Sequence, residues 1–107
     1  MPLQASGARR DCVFAFARAE GDAVAITCVP RLIASVVPDP TTLPLGAVWL
    51  DTRIDLPATA SPGYSRPFRD VFTNAVVEPV TVNGALAMPA AALFDRFPVA
   101  LLVPCST

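Results

Sequence analysis

Cys12-Val13-Phe14-Ala15-Phe16-Ala17-Arg18, then the break Ala19-Glu20-Gly21-Asp22, then Ala23-Val24-Ala25-Ile26-Thr27-Cys28-Val29-Pro30-Arg31-Leu32, read as two alternating strands joined by a turn. With a side-chain period of two, Cys12, Phe14 and Phe16 share one face of the first strand. Val24, Ile26 and Cys28 share one face of the second. A hairpin centred on Glu20 pairs Phe16 with Val24, Phe14 with Ile26 and Cys12 with Cys28, so that both apolar sets point the same way. Gly21 and Asp22 supply the turn chemistry. On this reading Phe14, Phe16, Val24 and Ile26 are core.

Working outward, residues 1–11 are polar and Arg-rich and read as a lead-in segment. Residues 36–46 hold Pro38, Pro40 and Pro44 and form a loop. Residues 47–56 alternate: Val48, Leu50, Ile54 and Leu56 take one face with Thr52, and Trp49, Asp51, Arg53 and Asp55 take the other. Residues 57–67, with Pro57, Pro62, Gly63 and Pro67, form a second loop. Residues 68–72 read as a short strand and Thr73-Asn74 as a turn, because Asn tolerates positive φ. Val76–Val82, broken by Pro79, suits a sheet edge. Asn83-Gly84 is a two-residue hairpin signal, with Ala85–Met88 as the return strand. Pro89–Arg96 is the one helical stretch, with Pro in the first position and Pro98 as its stop. Val99–Val103, continuously apolar, suits a strand in the middle of a sheet. The sum is a single all-β domain over residues 1–107. Its architecture is an antiparallel β-sandwich of about seven short strands, with one short helix near the C-terminus.

Composition narrows the function classes. Of 107 residues, 53% are hydrophobic and the formal net charge is −1, which excludes a disordered chain. The basic residues are all Arg, in line with GC-rich codon usage, and they form no basic tract of the kind that binds nucleic acid. The absence of His removes Ser-His-Asp triads, Cys-His dyads and most zinc sites. No apolar run reaches the roughly 20 residues that span a bilayer, and no signal-peptide core stands at the N-terminus. Three cysteines, an odd number, suit a reducing cytoplasm better than a disulfide framework. No catalytic residue, metal site or cofactor is expected in this chain.

A few residues invite more than a core reading. Trp49, the single Trp, is placed by periodicity on a polar strand face. There it could meet a neighbouring domain or stack on a sugar ring, or it could be covered by a loop of its own domain. Asp51 and Asp55 flank Arg53; paired carboxylates invite a glycosidase reading, and an exposed ion-pair ladder is the plainer one. Cys12 and Cys28, adjacent across the hairpin, are expected to stay reduced as small core residues rather than form a redox switch. Arg31 ends a strand, where its guanidinium could fork onto a carboxylate of a neighbouring domain or cap locally.

The order of these phrases resembles the C-terminal domain of malto-oligosyltrehalose synthase, an enzyme family of the α-amylase clan. The residues that carry the resemblance begin with Pro2-Leu3 and Gly7, followed by Ala15-Phe16-Ala17-Arg18 with Gly21-Asp22, and by Val29-Pro30-Arg31-Leu32. Pro44-Leu45-Gly46, Trp49-x-Asp51-Thr52, Leu56-Pro57 and Arg69-Asp70-Val71-Phe72-Thr73 continue it. Met88-Pro89, Leu93 and Arg96-Phe97-Pro98-Val99-Ala100-Leu101-Leu102 complete it. The likeness covers nearly the whole chain. Where the family often has Gly, this chain has Leu50 between Trp49 and Asp51, and Asn74 after Thr73; its loop at 58–67 is longer.

The resemblance implies a parent isomerase that converts the reducing-end α-1,4 bond of a maltodextrin to an α,α-1,1 bond. The chemistry then belongs to carboxylates of an N-terminal (β/α)₈ barrel. A barrel needs roughly 250 residues, so this chain alone is expected to be non-catalytic. The barrel is its implied partner, with Trp49, Asp51, Arg53 and Arg31 as candidates for the inter-domain contact. Maltodextrin is met only through the parent, nucleic acid and membrane are not partners, and an exposed inter-domain surface could also support a homodimer. The likeness starts in mid-phrase at Pro2, as an excised C-terminal piece would. The other classes are a stand-alone carbohydrate-binding module, which should expose several aromatics in a row, and a free protein-interaction module.

Overall fold

The computed structural model describes residues 1–20, 23–31, 43–57 and 62–105. The expected turn at Gly21-Asp22 and parts of the two long loops, 36–42 and 58–61, lie outside the described residues. The strands are β1 (Pro2–Leu3), β2 (Ala5–Ser6), β3 (Val13–Glu20), β4 (Ala23–Pro30) and β5 (Arg53–Asp55), then β6 (Phe68–Asp70), β7 (Val76–Val77), β8 (Val80–Val82), β9 (Ala85–Pro89) and β10 (Ala100–Pro104). One helical turn, α1 (Ala90–Leu93), follows β9. The strands form a six-stranded sheet in the order β1-β3-β4-β10-β6-β7 and a four-stranded sheet in the order β2-β5-β9-β8. The described pairings are antiparallel. The inner faces of both sheets contribute to one core, with Ile26, Phe68 and Leu102 from the first and Ile54 and Met88 from the second. This is the all-β sandwich that the strand pattern predicts.

From β1 to β10 the chain passes between the sheets six times, and two of these crossings bear on the sequence pattern. Residues 1–11 do not form a lead-in. Pro2–Leu3 pairs with β3 at one sheet's edge, and Ala5–Ser6 pairs with β5 at the other's. Polar composition hid this, because two-residue strands are too short to show a period. Pro79 marks the other, between β7 and β8. Each of those strands is the edge of its sheet, where a residue without an N–H costs no ladder bond.

The hairpin forms, but in a different register. Glu20 pairs with Ala23, Phe16 with Thr27, and Phe14 with Val29. Only Gly21 and Asp22 then lie between the paired ends, the preferred length for a tight hairpin. Relative to a hairpin centred on Glu20 the register moves by an odd number of residues, and every β3 side chain changes face. Val13, Ala15 and Ala17 are buried, while Phe14 and Phe16 are 46% and 43% exposed. Phe14 and Phe16 are therefore not core; Val24 and Ile26 are. The small residues of β3 leave volume that Tyr64 helps to fill. Tyr64 belongs to the same buried cluster as Ala15 and Ala17, and shares a cavity wall with Ala17. Cys12 and Cys28 are not opposite one another. The Cys12 carbonyl accepts from the Arg31 N–H, and Cys28 pairs with Ala15. No disulfide joins Cys12, Cys28 or Cys105.

Other elements match more closely. β10 sits in the middle of its sheet. Asn83 and Gly84 both have positive φ, 51° and 82°, as the tight β8–β9 turn requires. The helix is shorter than the expected Pro89–Arg96. Pro89 is extended, the final residue of β9, and the helix ends at Leu93 because Phe94 turns out of it into the core.

Candidate functional site

The stretch 47–56 is not one strand. Gly46–Trp49 forms a 3₁₀ turn, Leu50 follows at φ 55°, ψ −129°, and only Arg53–Asp55 is strand. A non-glycine residue at positive φ is held there by its neighbours. Trp49 and Thr52, on either side of the kink, are 0% and 1% exposed. The Trp49 indole N–H donates to the Pro44 carbonyl at 2.7 Å, and its ring lies 5.0 Å from that of Phe94. The Gly46 N–H donates to the Phe94 carbonyl, joining the turn to the end of α1. Trp49 is therefore buried inside its own domain and meets neither solvent nor, across a surface, a second domain. The alternation that put it on a polar face fails because the kink at Leu50 resets the period.

Asp51 and Asp55 hold the N-terminal segment, and Asp51 and Arg53 also border a cavity of about 350 Å³ with Leu50, Val80 and Val82. The Ala8 N–H donates to Asp51 Oδ1 at 2.8 Å, the Arg9 N–H to Thr52 Oγ1 at 2.8 Å, and the Ser6 hydroxyl to Asp55 Oδ2. Arg53 Nε lies 3.8 Å from Asp55 Oδ1, a partly exposed ion pair. This is the ladder reading for Arg53 and Asp55; Asp51, in a turn, is separate from it. Gly7 makes the clamp possible: at φ +99° it lies so close that an added Cβ would stand 2.6 Å from the Asp51 carbonyl oxygen. Arg31 is exposed beyond the end of β4 and enters no ion pair among the described residues.

A polar concavity lies elsewhere, between the β6–β7 turn and the end of α1. Asp70, Asn74, Glu78, Asp95 and Arg96 line a cleft of about 560 Å³. Asp70 is 2% exposed and folds its turn by accepting from the Phe72 N–H at 3.0 Å, while its own N–H donates to the Ala75 carbonyl. Asn74 sits at φ 62°, as its place in a turn predicts. The turn presents Phe72, whose ring lies 5.5 Å from that of Phe97; both are exposed. The carboxylate of Asp70 is thus occupied in turn formation. Among the described residues no group of three or more His, Cys, Asp or Glu is placed to hold a metal.

Sequence reasoning missed this cleft, the Phe72–Phe97 pair and the exposure of Phe14 and Phe16. Asp70 two residues before Phe72 is a recognisable side-chain-to-backbone turn signal. Nothing comparable announces the aromatic pair. Tyr64, expected in a loop, is 1% exposed, and its hydroxyl has no hydrogen-bond partner among the described residues; burial pushes its pKa up.

Burial raises the pKa of Cys28 from an ordinary 9.0 to about 12, with the Asp70 charge adding to the shift. At neutral pH Cys28 is a thiol and no nucleophile. The folded chain keeps this proton to higher pH than the unfolded chain does. The contribution is therefore intact below about pH 9 and lost as pH rises toward 12, by about 1.4 kcal/mol per pH unit. Chemical denaturation between pH 8 and 11 should show this slope, and Cys28→Ala should remove it. An unchanged slope in Cys28→Ala would assign the alkaline loss to other groups, such as Tyr64.

Comparison with known proteins found no matching family model, no matching curated protein and no matching solved structure. No helix among the described residues is long and apolar enough to cross a membrane.

Proposed function

We propose that this chain is a non-catalytic C-terminal β-sandwich domain of a malto-oligosyltrehalose synthase, a cytoplasmic enzyme of trehalose biosynthesis, and that it supports that enzyme's catalytic barrel. The observation that carries the reading is the backbone at the resemblance's glycine positions. Gly7 and Gly46, where this chain keeps Gly, lie at φ 99° and 61°. Leu50 and Asn74, where it departs from the family's Gly, lie at φ 55° and 62°. All four are conformations that favour glycine, so the departures keep the backbone that the family's glycines would serve. Positive φ at all four positions supports the reading.

The buried Trp49 and Tyr64 weigh against a carbohydrate-binding module. Its exposed rings are all Phe (Phe14, Phe16, Phe72 and Phe97), which have no polar edge for a sugar hydroxyl. The chain is expected to make no trehalose-capped product from maltohexaose, and the coding sequence upstream of Met1, or a neighbouring gene, is expected to encode a (β/α)₈ barrel. Capped product from the pure chain, or a gene with no barrel in frame or beside it, would sink the reading.

A further inference from the structure

The outer face of the six-stranded sheet is apolar and uncovered. Along its middle row Pro2 pairs with Phe16, Phe16 with Thr27 and Thr27 with Leu101. Val71 continues the row by donating its N–H to the Leu101 carbonyl. The row on one side holds Phe14 opposite Val29. The row on the other holds Arg18 opposite Ala25, then Val103, Arg69 and Val76 in register. Alternation with buried neighbours fixes the direction: Ala15, Ala17, Ile26, Leu102, Phe68 and Asp70 all point inward. Phe14, Phe16, Val71 and Val76 are each more than 40% exposed, at 46%, 43%, 44% and 61%.

Two properties of this face select its occupant. The first is charge. By alternation its charged residues are Arg18, Glu20 and Arg69; Arg18 and Arg69 are exposed, and neither is in an ion pair among the described residues. A second copy docked here would set one net positive face against another, which disfavours self-association. A partner with carboxylates beside its apolar patch would pair Arg18 and Arg69. The second is area. Rows five residues wide at about 4.8 Å spacing, three of them about 7 Å apart, give at most roughly 500 Å². Both sides together then bury at most about 1,000 Å², within the roughly 600–1,500 Å² of inter-domain contacts and below the 2,000 Å² or more of obligate homodimers.

We infer that the Phe14–Phe16 face of the six-stranded sheet is the docking surface for a folded domain that presents an apolar patch bordered by carboxylates. This rests on the reading above, under which that domain is the catalytic barrel. The candidates from sequence, Trp49 and Asp51, then play no part in the contact. Phe14 and Phe16 anchor it, and Arg18 and Arg69 set its orientation.

The test is titration calorimetry of the chain into a purified, folded (β/α)₈ barrel domain of a malto-oligosyltrehalose synthase. Four forms are compared: wild type, Phe14→Ser/Phe16→Ser, Arg18→Glu/Arg69→Glu and, for the case in which the double Phe variant melts lower than wild type, Phe16→Ser alone. All replaced side chains point outward, so circular dichroism should match wild type. The expected result is binding by wild type, weakened about 30-fold or more by the Phe changes. The Arg changes should weaken it about tenfold and reduce its salt dependence. Variants that bind like wild type overturn the assignment of this face and leave the proposed function standing. Absence of wild-type binding overturns both. A wild-type dimer in sedimentation that Phe14→Ser/Phe16→Ser dissolves gives the face to a second copy and overturns the inference.

Discussion

Trp49→Ala is expected to destabilise the domain by about 3–5 kcal/mol, the range for removing a large buried aromatic. The indole is fully buried, packs on Phe94, and donates to the Pro44 carbonyl. Its loss would open a cavity at the point where the 3₁₀ turn, the segment before it and the end of α1 meet. It would also strand a carbonyl and weaken the anchor that holds Leu50 at positive φ. Against a total stability of about 5–15 kcal/mol for a domain of this kind, that is a large share. The measurement is a denaturant midpoint read by far-UV circular dichroism, since the variant lacks the only Trp. Trp49→Phe separates the terms: it keeps an aromatic ring near Phe94 and loses the indole donor, for about 1 kcal/mol from the hydrogen bond together with a modest loss of packing. A Trp49→Ala midpoint close to wild type would show that the indole does not support the core.

Gly7→Ala is the second large effect, about 2–5 kcal/mol. Two costs combine. Positive φ costs an L-residue about 1–2 kcal/mol, and Gly7 lies at +99°. The added methyl would also stand 2.6 Å from the Asp51 carbonyl oxygen and 2.7 Å from Thr52 Cα. These are main-chain atoms that cannot rotate away, so the segment must shift, an overpacking cost of about 1–3 kcal/mol. The shift would pull Ala8 and Arg9 off Asp51 and Thr52. Gly84→Ala is the control: its φ is +82° with nothing within 4 Å of the new Cβ, so it should show the conformational cost alone. Equal losses at the two positions would show that the close approach at Gly7 carries no energy.

Why the site was harder to read than the fold is clear from particular residues. Val24, Ile26 and Cys28 face the core as the period demands. Asn83-Gly84 turns as its chemistry demands, and β10 is central as its apolar run suggests. These are local properties of the chain. Phe14 and Phe16 show the limit of such reasoning. Period two correctly put them on one face, but which face depended on the register, and an odd shift inverted it. Hydrophobicity suggested the wrong side, because a small alanine face can be core when another element fills the space, as Tyr64 helps to do here.

Trp49 fails for a related reason. Its alternation with Asp51 and Arg53 was genuine, but a periodic pattern assumes one continuous strand. Here Gly46–Trp49 is a 3₁₀ turn, Leu50 follows at φ 55°, and the strand begins only at Arg53. The polar face then became a clamp for residues 6–9 rather than a surface for a partner.

The sequence by itself determined the class of the fold, the turns at Thr73-Asn74 and Asn83-Gly84, the edge position around Pro79, the central place of β10 and the lack of imidazole chemistry. Each follows from residue type and short-range geometry. Only the tertiary structure decided which face of β3 meets the core, that Trp49 is internal, and that residues 1–11 stitch both sheets together. Those outcomes depend on pairing across many residues of chain, where the free energy belongs to the packed whole and not to any segment.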